Sequence, residues 1–564
     1  MINEKKYFEE IDFNKKKVSA ISLGCDKNRV DLEHMLFSLQ TSGFKIVPDI
    51  ADADIIIVNT CAFIKPAIDE TVDNINLAIK QKIIGTAEKI IVSGCFPQRN
   101  MENLENTFPQ VDCFLPLNQN CNIVNVIKNL YLSQNANLIA ENNSLSNAKD
   151  ASSKFIKGAG GRIITHNGMY AYLKIADGCS NGCAYCTIPK IRGRFRSVPM
   201  DILIREAKTL AQNGYKELIL VAQDTAKYGD DLYGETKLIE LIKNLIKIKG
   251  VEWIRLQYVY PKWLNDELLN FIATEEKMCK YIDMPLQHID DEILSAMNRK
   301  SNEQETLALL KKIKTNYPQI ILRSTFIVGL PGETKQKFNK LCDFISKGII
   351  DYATFFPYYR EVGTKAYYMK KQVFNWIKKK RIKKITEIQN VVMNINNQKK
   401  LGSMEEVLID EYFPQQKMFK GHSKNNSPNI DLCVIIDKNF NEENESIEKE
   451  GQTEQIEQNA NQSFTNYTAM NFENEQVENE KLEVDCEKIT NTNMFTRYKN
   501  KVKSFIERNV RKMLNKKETD FNNSEDLIEE NEKKEECQVG KIYKVKLIEM
   551  IDGGFKGQVL FGEE

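Results

Sequence analysis

Three cysteines fall within one short run of this sequence, Ala176-Asp177-Gly178-Cys179-Ser180-Asn181-Gly182-Cys183-Ala184-Tyr185-Cys186. Thiolates at this CxxxCxxC spacing cannot reach a common centre from a regular strand. A loop containing Gly178 and Gly182 can curl round one. Iron–sulfur clusters usually take four cysteines, so three leave one iron of a cubane without a protein ligand. That open iron can chelate the amino and carboxylate groups of S-adenosylmethionine (SAM). One-electron reduction then splits the sulfonium and yields a radical that takes hydrogen from an unactivated C–H bond. No ionisable side chain does this, so the cofactor carries the hard step. A structural zinc site is the competing reading. Such sites take four ligands, often as cysteine pairs, and no nearby fourth cysteine or histidine fits.

A second group is Cys25, Cys61 and Cys95, in the runs SLGCDKN, VNTCAF and VSGCFPQ. Each sits just beyond a short apolar run that reads as a strand. Ligands of open parallel sheets bind outside the carboxyl ends of strands, so three strand exits can converge on one point. Gly24 and Gly94 allow close backbone approach. Three unrelated core thiols are the plainer alternative, but the shared placement favours a ligand set. Again there are three, which implies a second cluster with an open iron. Cys113, Cys121, Cys279, Cys342, Cys433, Cys486 and Cys537 share no spacing and read as bystanders. His34, His166, His288 and His422 are scattered and give little support to a Cys–His nucleophile.

The elements that must position these groups follow from hydrophobic pattern. Over 15–140, β-branched runs at Val18–Leu23, Asp54–Asn59 and Lys89–Ser93 alternate with helical stretches. Continuous apolar runs such as Ile55–Val58 imply strands buried on both faces, hence an open parallel α/β domain. Residues 141–168 read as a linker. From 169 to 400 the alternation resumes, with strands at Tyr170–Ala176, Glu217–Ala222, Trp253–Tyr258, Tyr281–Met284, Ile320–Val328 and Tyr352–Phe356. Asp201–Gln212 and Lys237–Ile248 are among the helices between them. Six βα units in series imply a barrel or partial barrel of parallel strands, and the first cysteine loop lies at the active-site end of its opening strand. Short strands at Glu406–Ile409, Leu432–Ile436 and Ile542–Ile548 imply a small antiparallel β-domain made from 401–438 and 539–564.

A long insertion at 439–538 interrupts that small domain. Its first half is acidic, amide-rich and free of proline, the composition of disorder. In its second half Phe495, Tyr498, Val502, Phe505, Val510 and Met513 recur at helical spacing among Lys and Arg, as in a surface helix for RNA or membrane, or one docking on its own domain. The chain of 564 residues is too long for one core. Its net charge of +1 hides an asymmetry: residues 441–540 hold 24 acidic and 14 basic residues, the remainder 54 and 65. A basic catalytic body suits work near RNA or the ribosome. No apolar run is long enough to span a bilayer and the N-terminus lacks an apolar signal core, so no membrane role and a cytoplasmic location are expected. Thirteen cysteines in such a chain point to metal or redox chemistry more than to disulfides.

Together these residues resemble a known family. The CxxxCxxC loop looks like the radical SAM signature. The three N-terminal cysteines in an α/β domain, and a terminal β-domain similar to a TRAM domain, resemble the radical SAM methylthiotransferases over nearly all of 18–437 and 539–562. The 439–538 insertion departs from the family pattern. The resemblance implies two 4Fe-4S clusters, one on Cys25, Cys61 and Cys95 that carries the sulfur, and one on Cys179, Cys183 and Cys186 that cleaves SAM. It further implies SAM contacts from Tyr185 in the cysteine loop, from Gln223 and Asp224 at a strand end, and from the segment Gly329–Glu333. One branch of the family modifies an isopentenylated adenosine of tRNA. The other modifies the β-carbon of an aspartate in small-subunit ribosomal protein S-twelve. The stretches SLGCDKNRVDLE, NTCAFIKPAIDET, IPKIRGRFRS, YIDMPLQHIDDEILSAMNR and RSTFIVGLPGET resemble the second branch. A sulfur donor and an electron donor of flavodoxin or ferredoxin type are the further partners this implies. A zinc-stabilised RNA-binding protein without catalysis is the rival of a different class.

Overall fold

The computed structural model describes residues 12–99, 103–132, 161–437 and 537–560. Nearly all of the 439–538 insertion, with its expected acidic and helical halves and Cys486, lies outside the described residues, as does 141–160 of the expected linker. Among the described residues no helix is long and apolar enough to cross a membrane.

The first sheet has five parallel strands in the order β2-β1-β3-β4-β5. They are β1 (Lys17–Ser22), β2 (Lys45–Ile46), β3 (Ile55–Thr60), β4 (Lys89–Gly94) and β5 (Cys113–Pro116). Every residue of β3 is buried. Ile56, Val58, Ile90 and Val92 pack beneath one layer of helices, and Ile55, Ile57 and Ile91 beneath the other. Burial of both faces is why the strands read as unbroken apolar runs.

The second sheet is a six-stranded partial barrel, order β13-β12-β11-β10-β9-β6, with every pair parallel. Its strands are β6 (Tyr170–Lys174), β9 (Glu217–Val221), β10 (Trp253–Leu256), β11 (Met278–Asp283), β12 (Ile321–Val328) and β13 (Tyr352–Pro357). Between β6 and β9 a two-residue antiparallel pair, β7 (Ala176–Asp177) with β8 (Arg196–Ser197), closes the neck of the cysteine loop. Ala171, Leu173, Leu218, Leu220, Ile254, Ile282 and Leu322 point outward under the helices and form the main core. The residues between them, including Tyr170, Tyr172, Glu217, Arg255, Tyr281 and Arg323, form a second face that is aromatic and charged. It is covered by the helix Asp26–Thr41 of the first domain and by the small β-domain.

The third sheet is a closed barrel of β14 (Met404–Phe413), β15 (Met418–Ser423), β16 (Cys433–Asp437), β18 (Gly554–Val559) and β17 (Ile542–Ile551). Four of its pairs are antiparallel and one, β16 with β18, is parallel. Five strands cannot alternate direction all the way round a ring, so closure forces one parallel pair where the sequence predicts an antiparallel domain. Within the stretch read as a linker, residues 161–168 are packed. Arg162 is buried, pairing with Glu33 at 2.8 Å and Glu206 at 2.7 Å.

Candidate functional site

Cys25 sits at the N-cap of the helix Asp26–Thr41 directly after β1, Cys61 follows β3, and Cys95 opens the short helix Cys95–Arg99 after β4. The three strands are neighbours in the sheet, so the three thiols emerge side by side at its carboxyl edge. Two glycines permit this. Gly24 has φ +88, and a Cβ there would lie 2.8 Å from Cys61 Cβ and 3.2 Å from its Sγ. Gly94 has φ +95, and a Cβ there would meet the Thr60 carbonyl at 2.5 Å. Burial pushes the Cys61 thiol up, with nearby Cys25 adding to it. Burial pushes Cys95 up to about 12 against the pull of Arg192.

The second trio lies on the loop after β7. Gly178 (φ +76) turns the chain back so tightly that a Cβ would strike the Arg194 carbonyl at 2.2 Å. The Cys179 amide then bonds to the Gly193 carbonyl at 3.1 Å. Two of the sulfurs accept backbone N–H groups: Cys179 Sγ from Asn181 at 3.5 Å and Cys186 Sγ from Ile188 at 3.4 Å. Cys183 Sγ accepts from the Arg299 guanidinium at 3.7 Å. Burial pushes Cys186 up to about 12 and Cys179 upward as well.

Among the described residues no three His, Cys, Asp or Glu side chains are drawn together to hold one metal ion. A cubane asks for something else, since each cysteine binds a different iron and the sulfurs stand apart. The donor set fits such a group: three thiols per site, all free, with N–H donors already aimed at sulfur, the kind of bond that tunes cluster potential.

Of the residues expected at SAM, Tyr185 packs beside Ala184, Met297 and Leu330, close to Cys183 and Arg299. Gln223 donates to Asp177 at 3.3 Å, and its buried Oε1 has no partner among the described residues, an acceptor left for a ligand. Asp224 accepts from Asn181 of the cysteine loop at 3.0 Å, and burial lifts its carboxyl to about 6. Gly329 (φ +83) brings its backbone against the Lys378 stem. Glu333 is engaged within the protein. It accepts the Gly329 N–H at 2.8 Å and pairs with Arg381 at 2.7 Å, with His288 3.6 Å away. Its carboxylate therefore shapes the segment.

Sequence reasoning missed Arg192, which joins the two sites. Its guanidinium donates to Asp31 at 3.1 Å, to both Asp177 oxygens at 3.1 and 3.0 Å, to Asn28 at 3.2 Å and to Cys95 Sγ at 3.7 Å. Lys174 pairs with Asp31 and Asp177 in the same network. One buried cation thus touches a cysteine of the first trio and, through Asp177, the residue that starts the turn into the second. Arg299, also missed, plays the matching part at Cys183 while lying 4.2 Å over the Tyr260 ring. The only signal was an arginine set between Ile191 and Gly193 six positions after the last loop cysteine, in the run IPKIRGRFRS.

This fold and loop define the class: a radical SAM enzyme. The model of the Radical SAM superfamily matches residues 173–345, and that of the Uncharacterized protein family UPF0004 matches 17–116. The chain is 43% identical over 423 residues to "Ribosomal protein uS12 methylthiotransferase RimO" of Elusimicrobium minutum (strain Pei191), covering 75% of this chain and 94% of that protein. It is 40% identical over 425 residues to the protein of the same name in Clostridium perfringens (strain SM101 / Type A), covering 75% and 93%. The chain belongs to the RimO family. Among solved structures, the radical S-adenosylmethionine methyltransferase TsrM of Kitasatospora setae, with cobalamin and a 4Fe-4S cluster bound, is similar with a TM-score of 0.42 at 12% identity, covering 61% of this chain and 75% of that one.

Proposed function

We propose that this chain adds a methylthio group to the β-carbon of an aspartate in small-subunit ribosomal protein uS12, in the cytoplasm. The substrate follows from the name its relatives carry. The observation that supports the chemistry is the pair of cysteine trios at the carboxyl ends of two parallel sheets, tied by one buried network through Arg192. Cys179, Cys183 and Cys186 would hold the SAM-cleaving cluster, and Cys25, Cys61 and Cys95 the sulfur-carrying one. When bound, these groups supply the electron that splits SAM and the sulfur that is inserted. The protein's residues do the rest. Gly178 and Gly24 bring backbone within reach, the Asn181 and Ile188 amides and Arg299 brace the sulfurs, and Gln223 offers a buried acceptor to the SAM amino group. Burial keeps Cys95 and Cys186 protonated without metal, so loading must release protons. A reductant of flavodoxin or ferredoxin type and a sulfur donor complete the reaction.

The test is the intact mass of uS12 from a strain lacking the gene, with and without the gene restored. The adduct should vanish and return. An unchanged adduct would sink the reading, and loss of a methylthio group from tRNA adenosine in its place would move the enzyme to the tRNA branch. In the anaerobically reconstituted enzyme, Cys183→Ala should abolish SAM cleavage while retaining iron on the other trio. Cys61→Ala should retain cleavage and stop sulfur transfer.

A further inference from the structure

The segment from Phe356 to Lys380 leaves β13 at the carboxyl end of the barrel and runs over the cysteine loop. Its inner side is fastened there. The Ala366 amide donates to the Ala184 carbonyl at 2.8 Å, between Cys183 and Cys186, and the Lys371 carbonyl accepts from Gly332 at 3.0 Å. Tyr358, Ala366 and Met369 pack with Ala184 and Met297. Among the described residues the outer side has no such use. Phe356, Val362, Tyr368, Phe374 and Trp376 are exposed, the last three by 72, 69 and 67%. Between them stand the exposed cations Arg360, Lys365, Lys370, Lys371, Lys379 and Lys380. Apart from Asn375, every exposed residue of the segment is one kind or the other. Its single acidic residue, Glu361, is buried and paired with Arg99 at 2.7 Å. The rings are organised by the cations: Arg360 lies 4.4 Å over Tyr367, whose ring sits 5.0 Å from that of Tyr368.

We propose that this face docks single-stranded RNA at the mouth of the site. Exposed aromatic rings of this number are unusual in a surface without a partner. Cations spread along one strip without an exposed acid suit a polyanion, and rings between them suit stacked bases, the combination that binds single strands irrespective of sequence. A membrane-surface element would instead gather its rings on one side of an amphipathic helix. Here Phe356 lies on β13, Tyr368 on a short 3-10 turn, Phe374 just before the helix Asn375–Gln398 and Trp376 within it, so the rings do not share one helix face. The inference rests on the ribosomal reading above for its setting: uS12 in the small subunit is surrounded by RNA, so an RNA grip beside the reactive centre would hold the enzyme over its substrate.

The experiment is fluorescence anisotropy of the full chain with a labelled oligouridine of about 20 nucleotides, a length that spans one such surface, over a salt series. Lys370→Gln/Lys371→Gln/Lys379→Gln/Lys380→Gln should weaken binding and lower the slope of log affinity against log salt by about 3, at roughly 0.7 per phosphate contact. Tyr368→Ala/Trp376→Ala should weaken binding at least about 25-fold with the slope unchanged, since each of the two stacked bases contributes a factor of about 5 to 100. Unaltered circular dichroism shows that both variants fold. Absence of RNA binding by the parent chain, or equal binding by all three proteins, overturns the proposal. So does loss of binding to isolated uS12, or to phosphatidylglycerol vesicles, with RNA binding intact. Because uS12 is absent from the RNA measurement, failure of the methylthio assay leaves this result standing, and the reverse also holds.

Discussion

Replacing Glu217 by Gln should loosen the small β-barrel from the partial barrel. Glu217 opens β9 with no exposed surface. Its carboxylate takes the Arg255 Nε at 2.6 Å on one side and the His422 ring on the other, and His422 Nδ1 lies 2.5 Å from Asp410. Arg255 continues to the carbonyls of Ser423 and Lys424, both at 3.0 Å. Two cations and two carboxylates thus balance across the joint, and the substitution leaves one positive charge in excess out of water. Burial by itself would lower the His422 pKa, but Asp410 and Glu217 outweigh it and hold the ring at about 9 against an ordinary 6.5. At about 1.4 kcal/mol per unit, that corresponds to about 3 kcal/mol in favour of the imidazolium. The downward shift of Glu217 to about 2 is the same attraction seen from the carboxylate and is not added. Breaking a buried pair by removing one partner costs about 3–5 kcal/mol. The assay is hydrogen–deuterium exchange of peptides from β14 to β18, where that loss speeds exchange by opening about a hundred- to several-thousandfold. The sign with pH is fixed. The raised His422 contributes fully below about 6.5 and its contribution is lost as pH rises through about 9. The lowered Glu217 contributes above about 4.5 and its contribution is lost as pH falls toward 2. Protection in the parent chain, corrected for intrinsic exchange, should therefore fall between pH 6.5 and 9, and the variant should show a flatter profile. An exchange change under tenfold would refute the reasoning.

Arg192→Gln removes the donor from Cys95 and leaves Asp31 and Asp177 without their guanidinium. In a Cys183→Ala background the remaining cluster should titrate at a lower potential by EPR-monitored redox titration, and an unmoved potential counts against the assigned role. Gly94→Ala places a methyl 2.5 Å from the Thr60 carbonyl at φ +95. Thermal melting should show a loss of at least about 1–3 kcal/mol, and iron analysis should show less iron on the first trio. Arg99 and Glu361, 2.7 Å apart and nearly buried, clamp the helix behind Cys95 to the segment after β13. Each single neutral substitution should cost about 3 kcal/mol and the double less than their sum, measured as a cycle by denaturant unfolding.

The strands Ile55–Thr60 and Lys89–Gly94 are legible because both their faces are buried, which leaves unbroken β-branched runs such as Ile55–Val58. Those that escaped lack that signature. Cys113–Pro116 is four residues long and ends in proline, Met418–Ser423 carries a glycine and a histidine, and Gly554–Val559 holds two glycines. In the small barrel glycine is needed for another reason: a Cβ at 557 would press within 2.4 Å of Val545. The grouping of the six cysteines into two trios could be read because three share one short loop and three follow strand ends. Arg192 and Arg299 could not, because their partners lie up to 164 positions away in sequence. The pairing of Glu333 with Arg381 was hidden for the same reason, since the two lie far apart in sequence.

Charge and ring geometry help to seat the three domains on one another, beside apolar contacts such as Val30 with Ile219 and Val221. Tyr258, just past β10, shows how. It adopts φ +60, a left-handed backbone that costs an aromatic residue about 1–3 kcal/mol. In that conformation its hydroxyl donates to Asp26 at 3.2 Å and its ring lies 3.3 Å beneath Lys27 Nζ. Asp26 and Lys27 directly follow Cys25, so the strain is held by contacts that fix the first trio against the second sheet. On the far side, Arg323 reaches Asp431 of the small barrel at 3.3 Å and Tyr281 donates to the same carboxylate at 2.6 Å. Apolar faces can slide with little loss, whereas desolvated ion pairs tolerate one arrangement only. The buried Arg255 and Arg323 on the inner face of the partial barrel therefore fix where the small barrel sits, as Tyr258, Asp26 and Lys27 fix the first sheet, a role that well-packed apolar residues would not fill.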